Sequence, residues 1–140
     1  MVSKIDHLGI LVADINATKE VFEVLGLEVG AVEHVPTFGV EIAFIRVGDS
    51  LVELVEPVDD DSEIAGDLEA TPQSALLHHV AFRVNDIESK LAKLRDAGVP
   101  LADEEPRRGA GGASVAFLDR QAANGVRVEL VEREADVVLD

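Results

Sequence analysis

The chain has 140 residues, with 12 Lys and Arg against 28 Asp and Glu, a net charge of −16 and no cysteine. Without cysteine there are no disulfides, zinc–thiolate sites, iron–sulfur clusters or thiol nucleophiles, so any metal rests on His, carboxylate or amide ligands. The acidity argues against nucleic acid and anionic membranes as partners, and no apolar run approaches the about 18–20 residues of a membrane span.

Residues 5–15, Ile5-Asp6-His7-Leu8-Gly9-Ile10-Leu11-Val12-Ala13-Asp14-Ile15, open as a short, β-branched strand. Asp14 then suits a helix start, since its carboxylate can accept backbone N–H bonds. The pattern predicts a helix over 16–25, with Gly26 just past its end. A strand near 27–32 follows, then strands over 40–47 and 50–57 flanking the hairpin signal Gly48-Asp49. The connection 58–75 is acidic, contains Pro72 and is expected to carry a short helix near 63–69. Residues 77–87, Leu77-His78-His79-Val80-Ala81-Phe82-Arg83-Val84-Asn85-Asp86-Ile87, open a second strand and helix start. A helix over 88–97 places Ile87, Leu91 and Leu94 on one face. Gly98, a strand near 99–102, and strands over 113–118 and 126–132 complete the chain, the last two joined by a longer turn ending Asn124-Gly125. The acidic tail 133–140 is expected to fray.

The order of elements repeats. His7 matches His79 at an offset of 72, and at that offset Asp14 matches Asp86, Ile15 matches Ile87 and Gly26 matches Gly98. Each half reads β-α-β-β-β. The expected fold is therefore α+β: one domain over 1–140 made of two modules, 4–57 and 76–133, with 58–75 as linker. Strongly twisted modules of this kind can curl one mixed sheet into a cup, a natural ligand site.

The repeat also duplicates four metal-competent residues. His7 and His79 lie on the opening strands, and Glu53 and Glu129 on the closing strands. The Glu53-to-Glu129 offset of 76 means that four residues are gained after Gly98, which the longer hairpin turn accounts for. Alternation sets Val52 and Leu54 on the face opposite Glu53, and Val128 and Leu130 opposite Glu129. A carboxylate aimed into a cup is costly unless paired or metal-bound. Two imidazoles and two carboxylates suit Mn²⁺, Co²⁺, Ni²⁺ or Zn²⁺ and leave positions for substrate on a six-coordinate ion. His78 is expected on the opposite face from His79, and His34 in a loop.

These segments resemble the vicinal oxygen chelate superfamily (glyoxalase/bleomycin resistance/dioxygenase) and, within it, the methylmalonyl-CoA epimerases. The resemblance spans roughly residues 4–132. Its most specific parts are His78-His79-Val80-Ala81-Phe82 and Glu104-Glu105-Pro106-Arg107-Arg108-Gly109-Ala110-Gly111-Gly112. It implies paired β-α-β-β-β modules and a divalent metal, Co²⁺ or Mn²⁺ first and Ni²⁺ or Zn²⁺ next, held by His7, Glu53, His79 and Glu129. The second ligand is Gln in some family members and Glu here. The implied reaction is 2R/2S inversion of methylmalonyl-CoA through a metal-stabilised enolate, with Glu129 as ligand and base. Some bacterial members carry their second base where this chain has Ile42, which leaves neighbouring Glu41 as the candidate here. Arg107, Arg108, Gly109, Gly111 and Gly112 match the loop near the thioester and the CoA tail, and Arg120 stands where the family commonly has a lysine.

A glyoxalase I-like lyase acting on a thiol hemithioacetal is the main alternative, since its metal set can be the same. An Fe²⁺ extradiol dioxygenase usually needs only two His and one carboxylate, and metal-free drug-binding relatives have typically lost the ligands. The resemblance further implies a homodimer with an acyl-CoA substrate. A charged start without an apolar signal core implies a cytoplasmic protein. Four lysines against eight arginines fit a cytosol of high ionic strength.

Overall fold

The computed structural model describes residues 2–139. The first half contributes strand β1 (Val2–Val12), helix α1 (Ile15–Val24), β2 (Val29–Val35), β3 (Val40–Val47) and β4 (Ser50–Pro57). Helix α2 (Ala65–Glu69) lies in the connection. The second half contributes β5 (Ala75–Val84), α3 (Ile87–Asp96), β6 (Arg107–Arg108), β7 (Ser114–Phe117) and β8 (Val128–Glu132). All eight strands form one mixed sheet in the order β2-β3-β4-β1-β5-β8-β7-β6. β1 runs parallel to β4, β5 runs parallel to β8, and the halves join where β1 and β5 pair antiparallel. This is the paired β-α-β-β-β arrangement expected from the repeat, and the one that the resemblance to the vicinal oxygen chelate superfamily implies.

Local chemistry sets the helix ends alike in both halves. The Asp14 and Asp86 carboxylates accept from Ala17 N at 3.3 Å and Ser89 N at 3.1 Å. A glutamate on each closing strand caps a further amide: Glu56 accepts from Ile15 N and Glu132 from Ile87 N, each at 2.8 Å. Gly26 and Gly98 sit just past the helices at φ +92° and +79°, where a Cβ would be strained.

Each helix covers the convex face of its own half. Ile15 packs with Ala43, Ile45 and Leu54, and Ile87 and Leu91 pack with Val84, Ala116 and Leu130. The concave face carries Val40, Ile42, Phe44, Leu51 and Val55, together with Ala110 and Val137. Strand alternation thus puts an apolar layer under each helix and a second one around the cup.

Three expectations are corrected. No strand forms over 99–102; only a bridge between Leu101 and Leu118 remains, and the strand on the outer side of β7 is the short β6. Pro100 lacks an N–H, and the Asp103 carboxylate takes the Phe117 amide at 2.8 Å in place of a ladder partner. The described part of the tail is packed rather than frayed: Val137 is buried, its carbonyl accepts from Arg46, and Asp136 faces Arg83; Asp140 lies outside the described residues. His34 falls within β2 and pairs with Glu41. Among the described residues no helix is long and apolar enough to cross a membrane.

Candidate metal centre and active site

β1 and β5 do not pair evenly. Ile5 faces Phe82 while His7 faces Ala81, so Asp6 is an extra residue on β1. Gly9 faces His79 while Ile10 faces Leu77, so His78 is the extra residue on β5. These two β-bulges are equivalent under the repeat. Each breaks the alternation just before a histidine and turns two consecutive side chains into the interior. That overturns the expectation that His78 points away from His79: both line one cavity, and Asp6, His7 and His78 are buried.

Close packing fixes the rings. Gly9 lies directly beneath the His79 imidazole, and a Cβ at that position would overlap the ring. Opposite His7 stands Ala81, itself fully buried. Glycine at residue 9 is therefore a requirement of the His79 ring position.

Three donor atoms converge in the cavity. His7 Nε2 and His79 Nε2 are 3.1 Å apart, and Glu129 Oε1 lies 3.0 Å and 3.3 Å from them. Neither imidazole contact is aligned as a hydrogen bond to this oxygen, so the buried Oε1 accepts none among the described residues. A buried carboxylate oxygen without a donor is costly. Donors about 2.1 Å from one ion stand about 3.0 Å apart at right angles and about 3.4 Å apart in a tetrahedron. The edges of this triangle match that spacing, and its N, N, O donor set fits a borderline divalent cation.

Glu53, the fourth expected ligand, lines the same cavity but stands on the other edge of the His7 ring. Its Oε2 is 3.1 Å from His7 Nδ1 and 3.4 Å from Arg133 Nη2. Asp6 Oδ2 is closer to that nitrogen, at 2.7 Å. A carboxylate oxygen only accepts, so Nδ1 carries a proton, and once the ring gives up its second proton the lone pair is on Nε2. Asp6 is fixed in turn by Arg83 at 2.6 Å and by Arg133 at 3.0 and 3.1 Å. Arg133 is almost wholly buried and also donates to the Ala110 carbonyl.

The electrostatics follow from this crowding. Burial opposes a charge on His7, but Glu53, Asp6 and Glu129 outweigh it and raise its pKa to about 10. Burial likewise opposes ionisation of Glu129, yet His79 and His7 hold its pKa down at about 2. Burial pushes Glu53 up, whereas His7 and Arg133 overcome burial and hold Asp6 well below the usual carboxylate range. The field that stabilises a proton on His7 would equally stabilise a cation in its place. His78 is different: burial takes it down to about 4, against its bond to Asp67.

The remaining sequence candidates divide. Glu41 pairs across the sheet with His34 and Glu56, and its neighbour Ile42 lines the cavity. Gly109 and Ala110 line the cavity. The Gly111 N–H is taken by Glu33 at 3.0 Å. Arg108 is exposed on β6, as is Gly112 just beyond it. Arg107 stacks 4.4 Å above the Phe38 ring and is held by Glu63 and Asp103. A groove lined by Arg107, Arg120, Gln121 and Arg127 opens beside the cavity, sharing Ile64, His78 and Phe117 with it. Asp6, Asp67 and Arg133 escaped the sequence reading as site residues. The signal for Asp6 and His78 is two adjacent polar residues in an apolar strand, repeated at the same offset.

Residues 6–117 match the family described as Glyoxalase/Bleomycin resistance protein/Dioxygenase superfamily. The chain is 37% identical to the ethylmalonyl-CoA/methylmalonyl-CoA epimerase of Cereibacter sphaeroides, over 93% of this chain and 98% of that protein. It superposes on the methylmalonyl-CoA epimerase of Mycobacterium tuberculosis with a TM-score of 0.88 at 31% identity, covering 96% of this chain and 90% of that one. It superposes equally on a methylmalonyl-CoA epimerase in complex with methylmalonyl-CoA and NH4+, with a TM-score of 0.89 at 33% identity, covering 98% and 99%. The chain is thus a member of the Glyoxalase/Bleomycin resistance protein/Dioxygenase superfamily and, within it, of the methylmalonyl-CoA epimerase family.

Proposed function

We propose that the chain inverts the α-carbon of methylmalonyl-CoA, using a divalent ion held by His7, His79 and Glu129. The observation that carries this reading is the triangle of their donor atoms, with the unpaired Glu129 Oε1 at one corner. It is supported by relatives of that activity that match nearly the whole chain.

The bound ion, Co²⁺ or Mn²⁺ with Ni²⁺ or Zn²⁺ as alternatives, supplies Lewis-acid stabilisation of the negative charge that develops on the thioester oxygen. The chain's residues do the rest. Phe38, Ile42, Val55 and Phe117 wall the cavity with apolar surface that excludes water from the acidic carbon. Glu129 is ionised at neutral pH and accepts the α-proton on one face. Inversion needs a second acid/base on the other face. Glu53, the repeat partner of Glu129, lines the cavity with a carboxyl that burial makes easier to protonate, and we assign it that role in place of a ligand role. The groove takes the CoA chain, with Arg120 as the cation for a phosphate, since Arg107 and Arg127 already pair with Glu63, Asp103 and Asp67 on its wall.

The reading includes a homodimer, supported by exposed Leu8, Leu77 and Val126 around one shallow apolar depression. The function is tested with chelator-stripped protein reloaded with Co²⁺ and given (2R)-methylmalonyl-CoA. Metal-dependent appearance of the 2S form is expected. Turnover of methylglyoxal with glutathione, without epimerisation, would instead establish the lyase reading.

A further inference from the structure

Each of the two histidines that face the cavity has a second ring nitrogen turned away from it, and the bulges decide what that nitrogen meets. His7 Nδ1 meets Asp6. His79 Nδ1 meets His78 Nδ1 at 2.8 Å. Beyond this contact, His78 Nε2 lies 3.0 Å from Asp67 Oδ2, and Asp67 Oδ1 accepts from Arg127 Nη2 at 2.9 Å. The chain of contacts runs from the metal corner through β5 to helix α2 and ends at the groove.

We infer that His78 and Asp67 are positioning residues that fix the tautomer of His79, so that its Nε2 lone pair always faces the ion. The inference rests on the metal reading above. The direction of each bond follows from elementary valence. Asp67 Oδ2 is an acceptor only, so His78 Nε2 carries the proton. A neutral His78 then has a bare Nδ1, which can only accept. His79 must donate to it, so His79 Nδ1 carries the proton and Nε2 is left free. Removing the carboxylate at the far end removes the reason for this order, because His78 can then carry its proton on either nitrogen. With the proton on His78 Nδ1, the 2.8 Å contact would place two N–H groups against each other, and His79 would have to turn its lone pair away from the ion.

The test is a calorimetric titration of the chelator-stripped chain with Co²⁺, together with long-range ¹H–¹⁵N spectra of its Zn²⁺-loaded form. Wild type is expected to bind one ion, with His78 protonated at Nε2 and His79 at Nδ1. Asp67→Ala and His78→Phe are each expected to weaken Co²⁺ binding about 10- to 100-fold. In Asp67→Ala the His78 resonances should shift to a mixture of tautomers, and Asp67→Glu should restore both affinity and spectrum. If His78→Phe does not fold, Asp67→Ala decides, since its side chain is 28% exposed on a surface helix. Unchanged affinity in Asp67→Ala, or a wild-type His78 protonated at Nδ1, overturns the relay alone. A wild-type chain that binds no Co²⁺ overturns the metal reading and the relay with it.

Discussion

At the first-half corner of the cavity, His7 leans on Asp6, an ionised carboxylate gripped by Arg83 and Arg133 and sealed from solvent. At the second-half corner, His79 leans on His78, a neutral ring whose own carboxylate, Asp67, sits at the rim of the groove. The backbone device is the same, one extra residue immediately before the histidine. The bracing is charged and rigid on one side and neutral and relayed to the surface on the other. Duplication thus conserved the geometry of the two donors while leaving the support behind each free to diverge.

The largest effect should come from the carboxylates that the repeat makes equivalent. Glu53→Gln is expected to slow inversion by about 10²–10⁴-fold, while exchange of the α-proton of one epimer survives. Glu41→Gln, on the far face of β3, should leave both intact. Chiral analysis of methylmalonyl-CoA after incubation in D₂O separates these outcomes. Equal loss of exchange and inversion in Glu53→Gln would return Glu53 to a ligand role.

The bracing itself is next. Asp6→Asn strips a buried partner from two arginines and should cost about 3–5 kcal/mol of stability. Asp67→Asn, partly exposed, should cost about 1 kcal/mol or less. Urea denaturation of the two variants measures the difference, and equal losses would erase the contrast between the corners.

Ring seating gives a third contrast. Gly9→Ala puts a Cβ into the His79 ring and should weaken Co²⁺ binding by about 100-fold, the upper range for disturbing a ligand's support. Ala81→Gly, opposite His7, adds no such clash and should leave affinity nearly unchanged. Calorimetry on both variants checks this.

The smallest effect is on pH. The folded-state pKa of His78, about 4, lies below its unfolded value near 6.5, so the unfolded chain binds the extra proton more readily. The metal-free protein should therefore lose stability as pH falls from 6.5 through 4, and His78→Phe should flatten that part of the curve if it folds. Thermal melts across this range would show it. Asp6 and Glu129, both held low in the fold, add their own loss only from about pH 5 downward, where the unfolded carboxylates begin to protonate.

Much of this was legible in the sequence because duplication prints its own evidence. The offset of His7 to His79 and of Glu53 to Glu129 located the cavity, and the two-residue turn at Gly48-Asp49 fixed β3 and β4. The bulges were not legible, because strict alternation assigns His78 to the wrong face. Nor was Arg133: it falls in a tail that reads as frayed and becomes buried only when the tail crosses the sheet to place Val137 in the core. Both omissions involve contacts between segments far apart in the chain; the bulges leave only the repeated pair of adjacent polar residues as a local trace, and the burial of Arg133 leaves none.

Proton NMR of methylmalonyl-CoA in D₂O with the Co²⁺-loaded chain addresses the central claim directly. The account predicts that the α-proton resonance disappears as deuterium enters both epimers, and that Glu129→Gln abolishes the exchange of the epimer whose α-proton Glu129 takes. An α-proton that persists with the ion bound and the fold intact would contradict it.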